Sequence, residues 1–213
     1  MLYSRLMNGL QSKKESEFLR QAFLTEARVL DARRGYISAS SFNLRMQPEI
    51  LRAAAGVIAD HFRSSRIDVI HGIPHGGNYL ATAVALAMAG NVRLHASRKD
   101  QNIPTSWKEV YRQEVRSSSL SGEAGTVFAG INLSFVRSNE RILLIDDICA
   151  SGETGAEIII GLIKRGVKVA GFAVMFDKMF QGGLERIAQL GVEVYSCVRV
   201  KEITSDGQIK ILD

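Results

Sequence analysis

Cysteine is scarce in this chain: Cys149 and Cys197 are the only two in 213 residues, one beside an acidic pair and one in an apolar run. That excludes a disulfide framework, and both are expected as buried free thiols of a cytoplasmic protein. Only three prolines occur and no low-complexity tract, so residues 1–213 are read as a single domain without a linker. Long apolar runs are also missing. The richest, LATAVALAMAG at 80–90, has 11 residues, too few to cross a bilayer, and no membrane partner is expected. The N-terminal stretch MLYSRLMNGLQSKKESEF has neither the apolar core nor the small-residue cleavage site of a secretory signal. No G-x-x-x-x-G-K-[ST] segment is present, which excludes a P-loop nucleotide site. The formal charge of +5 suits a polyanionic ligand. The basic residues are scattered, with no Lys/Arg block interleaved with aromatics, so nucleic acid is not expected as a partner.

What the chain does have is alternation. Residues 12–30 read as an amphipathic helix, and 48–62 as a second that sets Ile50, Leu51, Ala54, Val57 and Ile58 on one face. IDVIHGI (67–73) is a strand, the Ala-rich run from Tyr79 to Ala89 a helix closed by Gly90, and VRLHAS (92–97) a strand. ILLI (142–145) is too short and too apolar for an exposed strand and belongs in the middle of a parallel sheet. The next run places Ala156, Ile159, Ile160 and Ile163 at helical spacing and stops on Gly166. Strand 167–176, helix 183–191 and strand 192–200 complete the series. Such a series predicts an α/β fold: a central, mostly parallel sheet flanked by helices. Between Arg98 and Arg141 the rhythm lapses. That excursion holds Pro104, Trp107, the serines at 106, 117–119 and 121, and two apparent strands near 109–116 and 124–131, the size of a functional lid or hairpin.

The chemistry concentrates in RILLIDDICASGET (141–154). Ligands of open parallel sheets bind beyond the carboxyl ends of the strands, where Asp146 and Asp147 fall. Two carboxylates match the two donors of a vicinal diol. The loop after them is small, contains Gly152 and opens a helix. Its N–H groups, the Ser151 and Thr154 hydroxyls and the helix N-terminus form a phosphate cradle without lysine. A diol clamp next to a monophosphate cradle describes a ribose 5-phosphate.

The whole string resembles the phosphoribosyl-pyrophosphate (PRPP) signature of type I phosphoribosyltransferases, departing at Ala150, where many members carry Thr. The resemblance extends from about Tyr36 onward. It implies the type I fold with a small hood: an N-terminal helix and hood over about 1–45, and a lid or hairpin over about 99–137. It also implies that Asp146 and Asp147 hold the ribose hydroxyls, and that Ala150, Ser151, Gly152, Glu153 and Thr154 hold the 5′-phosphate. GIPHGGNYLA (72–81) is similar to the family's pyrophosphate loop, which puts Pro74, His75, Gly76 and Gly77 on pyrophosphate. Arg98 and Lys99 resemble the family's cationic pair near the leaving group, and with Asp146 and Asp147 they are the expected catalytic residues. Mg²⁺ is the implied cofactor, bound through PRPP near Asp146 and Asp147 rather than in a cage of protein ligands.

FDKMFQGG (176–183) resembles the base-binding segment of the xanthine enzymes, with Lys178 on the purine's oxo group. SSFNLRMQPE (40–49) supplies Phe42 for stacking and Asn43 for the base edge, and Ile148 is an apolar wall beneath the base. Transfer of phosphoribose to a 6-oxopurine, with release of pyrophosphate, is the expected activity. Orotate remains an alternative base, since comparable residues occur in that group. A PRPP-sensing regulator is another alternative, although about 35 residues before the recognisable region leave little room for a DNA-binding module. A homodimer is expected from the resemblance.

Overall fold

The computed structural model of the chain describes residues 2–88, 90–99, 110–117, 125–132 and 137–212; for 2–8, 98–99 and the stretches 110–117 and 125–132 it describes the backbone alone. Helix α1 (Leu2–Glu26) buries Leu19 and Phe23, an i,i+4 pair, against the helix Pro48–His61 and the strand Val194–Ile203. A small antiparallel hairpin follows, β1 (Arg28–Asp31) with β2 (Tyr36–Ser38). The sequence reading carried the first helix to residue 30. The chain instead leaves the helix after Glu26, whose carboxylate accepts hydrogen bonds from Ser40 Oγ (2.9 Å) and Ser41 N (2.7 Å) at the start of the short helix α2 (Ser40–Asn43).

Helix α3 (Pro48–His61) begins with Pro48 in the position that needs no N–H and buries Ile50, Ala54, Val57 and Ile58. The six-stranded sheet comes next: β3 (Val69–Gly72), β4 (Arg93–Ala96), β8 (Arg141–Cys149), β9 (Lys168–Lys178), β10 (Val194–Ile203) and β11 (Ile209–Ile211). Their spatial order is β4-β3-β8-β9-β10-β11, parallel throughout except for the last, antiparallel pair. Strand β8 holds the centre. Leu143 and Ile145 pack into the layer with α1 and α3, Ile142 and Leu144 into the opposite one, so all four are buried and ILLI carries no polar face.

Helix α4 (Gly76–Ala87) crosses from β3 to β4, and α5 (Glu153–Lys164) from β8 to β9. The buried face of α5 is Ala156, Ile158, Ile159 and Leu162, while Ile160 and Ile163 are 38% and 48% exposed, contrary to the face expected from spacing. Gly155 sets that rotation: a Cβ there would lie 2.8 Å from Ile187 Cδ1 and 2.9 Å from the Phe172 ring, so the helix meets the sheet along this line. A short 3₁₀ turn (Met179–Gln181) and α6 (Gly183–Ala188) link β9 to β10. In the 98–141 excursion, β5 (Arg98–Lys99), β6 (Val110–Ser117) and β7 (Gly125–Asn132) form a separate antiparallel sheet in the order β5-β7-β6, with β6 beside α5. Of the expected lid, about 99–137, the stretches 100–109 (with Trp107), 118–124 and 133–136 lie outside the described residues.

Candidate active site

In the main sheet the chain runs outward from β3 to β4, then returns to the other side of β3 for β8, β9 and β10. Strand order therefore reverses between β3 and β8. Loops leaving the two strands there diverge to opposite faces and open a crevice at their carboxyl ends. Both polar loops read from the sequence end in this crevice.

From β3, residues 73–75 turn into α4. Ile73 N–H donates to Ile145 C=O at 2.8 Å, which ties the loop to β8. The Pro74–His75 peptide is cis; Pro74 is buried and His75 exposed. Gly76 and Gly77 are buried because they abut the acidic pair. A Cβ on Gly76 would lie 2.5 Å from Asp147 Cγ, and one on Gly77 would lie 2.5 Å from Ile145 O and 3.2 Å from Asp146 Oδ1. Glycine is therefore a packing requirement at both positions.

The end of β4 braces the same loop. Ser97 donates to Gly72 C=O through both Oγ (2.8 Å) and N–H (3.2 Å), and Asn78 Nδ2 donates to Ser97 C=O at 3.0 Å. Sequence reasoning missed this brace; Ser97 and Asn78 are ordinary loop residues until the fold joins them. Arg98 and Lys99 follow directly, so their backbone leaves from beside the glycines, while their side chains lie outside the described residues.

From β8, the strand continues through both acids instead of breaking at Ile145. Asp146 Oδ1 accepts the Asp147 N–H at 2.9 Å, and the two carboxylates reach Gly77 and Gly76 respectively. Adjacent strand residues thus converge on one loop. Residues 150–154 then surround a cavity of about 110 Å³ with Asp146 at its rim. Gly152, at φ 71°, is the N-cap of α5, and no side chain among the described residues caps the helix. Neither the Ser151 nor the Thr154 hydroxyl bonds to another described residue. The site therefore offers unengaged N–H and O–H donors at the positive end of a helix. Behind the loop, burial together with Asp177, Asp146 and Glu185 keeps the Cys149 thiol protonated, so it has no nucleophilic character.

The residues expected at the base divide. Phe42 is fully buried, its ring edge-to-face on Phe23 at 5.2 Å, and in this conformation it shows no face to a ligand. Asn43 is half-buried, and its Oδ1 has no hydrogen-bond partner among the described residues. α2, which carries Asn43, packs on β8 and β9, and Ile148 sits half-buried opposite Phe176 in the register of those strands. Lys178, at the end of β9, is 7% exposed, and burial lowers its pKa. Asp177 beside it is fully buried; burial raises its carboxyl to about 7 against the pull of Arg199, 3.7 Å away. Among the described residues no group of three or more His, Cys, Asp or Glu is placed to hold a metal ion.

A mostly parallel sheet covered on both faces, with an acid pair and a small-residue loop opening a helix at its switch point, defines an open α/β fold with its crevice at the strands' carboxyl ends. The phosphoribosyl transferase domain family matches residues 40–210, and the chain belongs to that family. Among curated relatives, xanthine phosphoribosyltransferase of Bacillus licheniformis is 27% identical over 173 residues, covering 81% of this chain and 86% of that protein. The protein of the same name from Streptococcus equi subsp. zooepidemicus is 29% identical over 164 residues, 77% of this chain and 81% of its own. Among solved structures, adenine phosphoribosyltransferase from Rhodothermus marinus superposes with a TM-score of 0.68 at 20% identity, over 88% of this chain and 99% of that one. Adenine phosphoribosyltransferase from Trypanosoma brucei, in complex with AMP, pyrophosphate and ribose-5-phosphate, gives 0.66 at 19% identity, over 85% and 79%. The sheet and flanking helices are thus those of the type I phosphoribosyltransferase fold.

Proposed function

We propose that this protein transfers the 5-phosphoribosyl group of PRPP to a 6-oxopurine of the xanthine kind, giving the nucleoside 5′-monophosphate and pyrophosphate. The observation that carries the reading is the convergence of Asp146 and Asp147 on Gly77 and Gly76, with the uncapped 150–154 loop beside them. The curated relatives named for xanthine, and the neighbour bearing AMP, pyrophosphate and ribose-5-phosphate, support it.

In this reading the carboxylates of Asp146 and Asp147 accept hydrogen bonds from the ribose 2′- and 3′-hydroxyls. The N–H groups of 150–154, with Ser151 and Thr154, hold the 5′-phosphate. Pro74 to Gly77 bring backbone close to the diphosphate, and Arg98 and Lys99 carry positive charge toward it. A ring nitrogen of the base bonds to C1′ as the bond from C1′ to pyrophosphate breaks, and the nitrogen's proton is lost. The chain's work is to orient the two reactants, stabilise the departing anion and exclude water. The hard oxygens of Asp146 and Asp147 fit Mg²⁺ shared with a diphosphate, and that ion would neutralise charge on the leaving group. Asn43 and Lys178 face the base and Ile148 lies beneath it.

Two further parts belong to the same proposal. A second copy of the chain covers the outer face of α4 and the β4 edge, where Tyr79, Leu86 and Leu94 are 60%, 84% and 39% exposed. The setting is cytoplasmic, in keeping with two buried free thiols. Steady-state turnover with PRPP, Mg²⁺ and a panel of xanthine, guanine, hypoxanthine, adenine and orotate tests the activity. Turnover of xanthine or another oxopurine is expected. Turnover of orotate alone, or PRPP binding without turnover, refutes it.

A further inference from the structure

Lys178 reaches 7% exposure with no carboxylate partner among the described residues. Its neighbour Asp177 is not its counterion: that carboxyl sits near Arg199 and Glu185, on the other side of the strand. An ammonium buried in this way keeps its charge only if something replaces the lost water. What faces it is the ring of Tyr36, with Nζ 5.9 Å from the centroid.

Tyr36 comes from the β1–β2 hairpin, far from Lys178 in sequence, and it is held in place. The turn before it presses on the segment after Lys178, since a Cβ on Gly35 would lie 2.7 Å from Phe180 Cε2 and 2.7 Å from Gln181 Nε2. Ile37, next to Tyr36, is buried in the core.

We propose that Tyr36 is a specificity-determining residue: its ring holds the Lys178 ammonium on one side, and the pair selects a purine presenting a carbonyl, not an amino group, to that edge. This rests on the base site lying at Lys178, as proposed above. A ring face offers attraction but no hydrogen-bond acceptor, so the ammonium N–H groups remain for a ligand. A 6-oxo oxygen accepts from them. A 6-amino group sets donors against donors, and the buried charge then goes unmatched. Phe keeps the ring face and Leu does not.

The test is calorimetric binding of inosine 5′-monophosphate and adenosine 5′-monophosphate, which share the ribose phosphate and differ at position 6. Wild type, Y36F, Y36L, K178M and Y36L/K178M are compared as the full chain, each checked for an unchanged melting temperature. Y36L is expected to weaken inosine monophosphate three- to tenfold, the range of a cation–π contact. Adenosine monophosphate should stay within about twofold, and Y36F should bind both as wild type does. In the K178M background, Y36L should add nothing. Unchanged inosine monophosphate binding in Y36L, equal losses for both nucleotides, or an equal loss without Lys178 would each overturn the proposal. Wild-type turnover is read separately. Oxopurine transfer without this pattern sinks the role of Tyr36 alone, and the pattern without transfer sinks the activity alone. A wild type that binds neither nucleotide and turns over no oxopurine sinks both.

Discussion

Gly76 and Asp147 are in contact across the crevice: the Gly76 Cα stands where a Cβ would lie 2.5 Å from the Asp147 Cγ and closer still to its carboxylate. The acid is thereby held at a set distance from the loop proposed to carry pyrophosphate. Gly76 has no positive φ, so Gly76→Ala adds a methyl without backbone strain. It should displace the Asp147 carboxylate and lower kcat/KM for PRPP by about a hundredfold, as a misplacement near 1 Å does. The overpacking should also cost about 1–3 kcal/mol of stability. Steady-state kinetics with a thermal melt check both.

Gly152 is a different case, since its φ of 71° and its 2.5 Å approach of a built Cβ to Gly183 C=O both demand glycine. Gly152→Ala strains the backbone and pushes the cradle off the 182–183 turn. A stability loss of about 1–2 kcal/mol in urea is expected, together with about a tenfold rise in the KM for PRPP.

Two buried groups give opposite pH signatures. Burial raises Asp177 to about 7, above its ordinary carboxylate value, with Arg199 pulling down and Glu185 pushing up. The folded state then holds a proton the unfolded chain has lost, so this contribution to stability is full below about pH 4 and lost as pH rises toward 7. Burial, aided by His95, lowers His71 to about 3, and neither ring nitrogen has a hydrogen-bond partner among the described residues. Here the unfolded chain holds the extra proton, so stability is gained as pH rises from about 3 to 6.5. The wild type shows the sum. Asp177→Asn should make stability climb more steeply between pH 4 and 6.5, and His71→Phe should make it fall. Urea unfolding at several pH values separates them.

The proposed dimer interface is placed on the exposed Tyr79, Leu86 and Leu94. Leu86→Lys, with Leu86 84% exposed, should leave the protomer folded and shift sedimentation toward the monomer. An unchanged dimer would place the interface elsewhere.

The strand and helix rhythm was legible because each core strand is a short apolar run and each crossover helix a periodic one. ILLI could sit only where both faces are covered. The acid pair and its loop were legible because their chemistry is contiguous in sequence. Contacts between distant segments were not. Ile158, Ile159 and Ile160 allow more than one buried face on α5, and the choice falls to Gly155 meeting Phe172 and Ile187. Phe42, read as a stacking ring, is claimed by Phe23 from a helix whose docking no local pattern announces. The hairpin that brings Tyr36 to Lys178 has strands of four and three residues, too short for periodicity to register. β11, also three residues, escaped notice for the same reason.

The central claim is that Asp146 and Asp147 clamp the ribose of PRPP. Its most direct test is pyrophosphate release from PRPP and xanthine by the wild type and by the Asp146→Asn/Asp147→Asn double variant. Asparagine keeps an acceptor but loses the charge, about 1–1.5 kcal/mol for each hydrogen bond, so kcat/KM for PRPP should fall by about thirty- to a hundredfold with the fold intact. A double variant with unchanged kinetics would contradict the account.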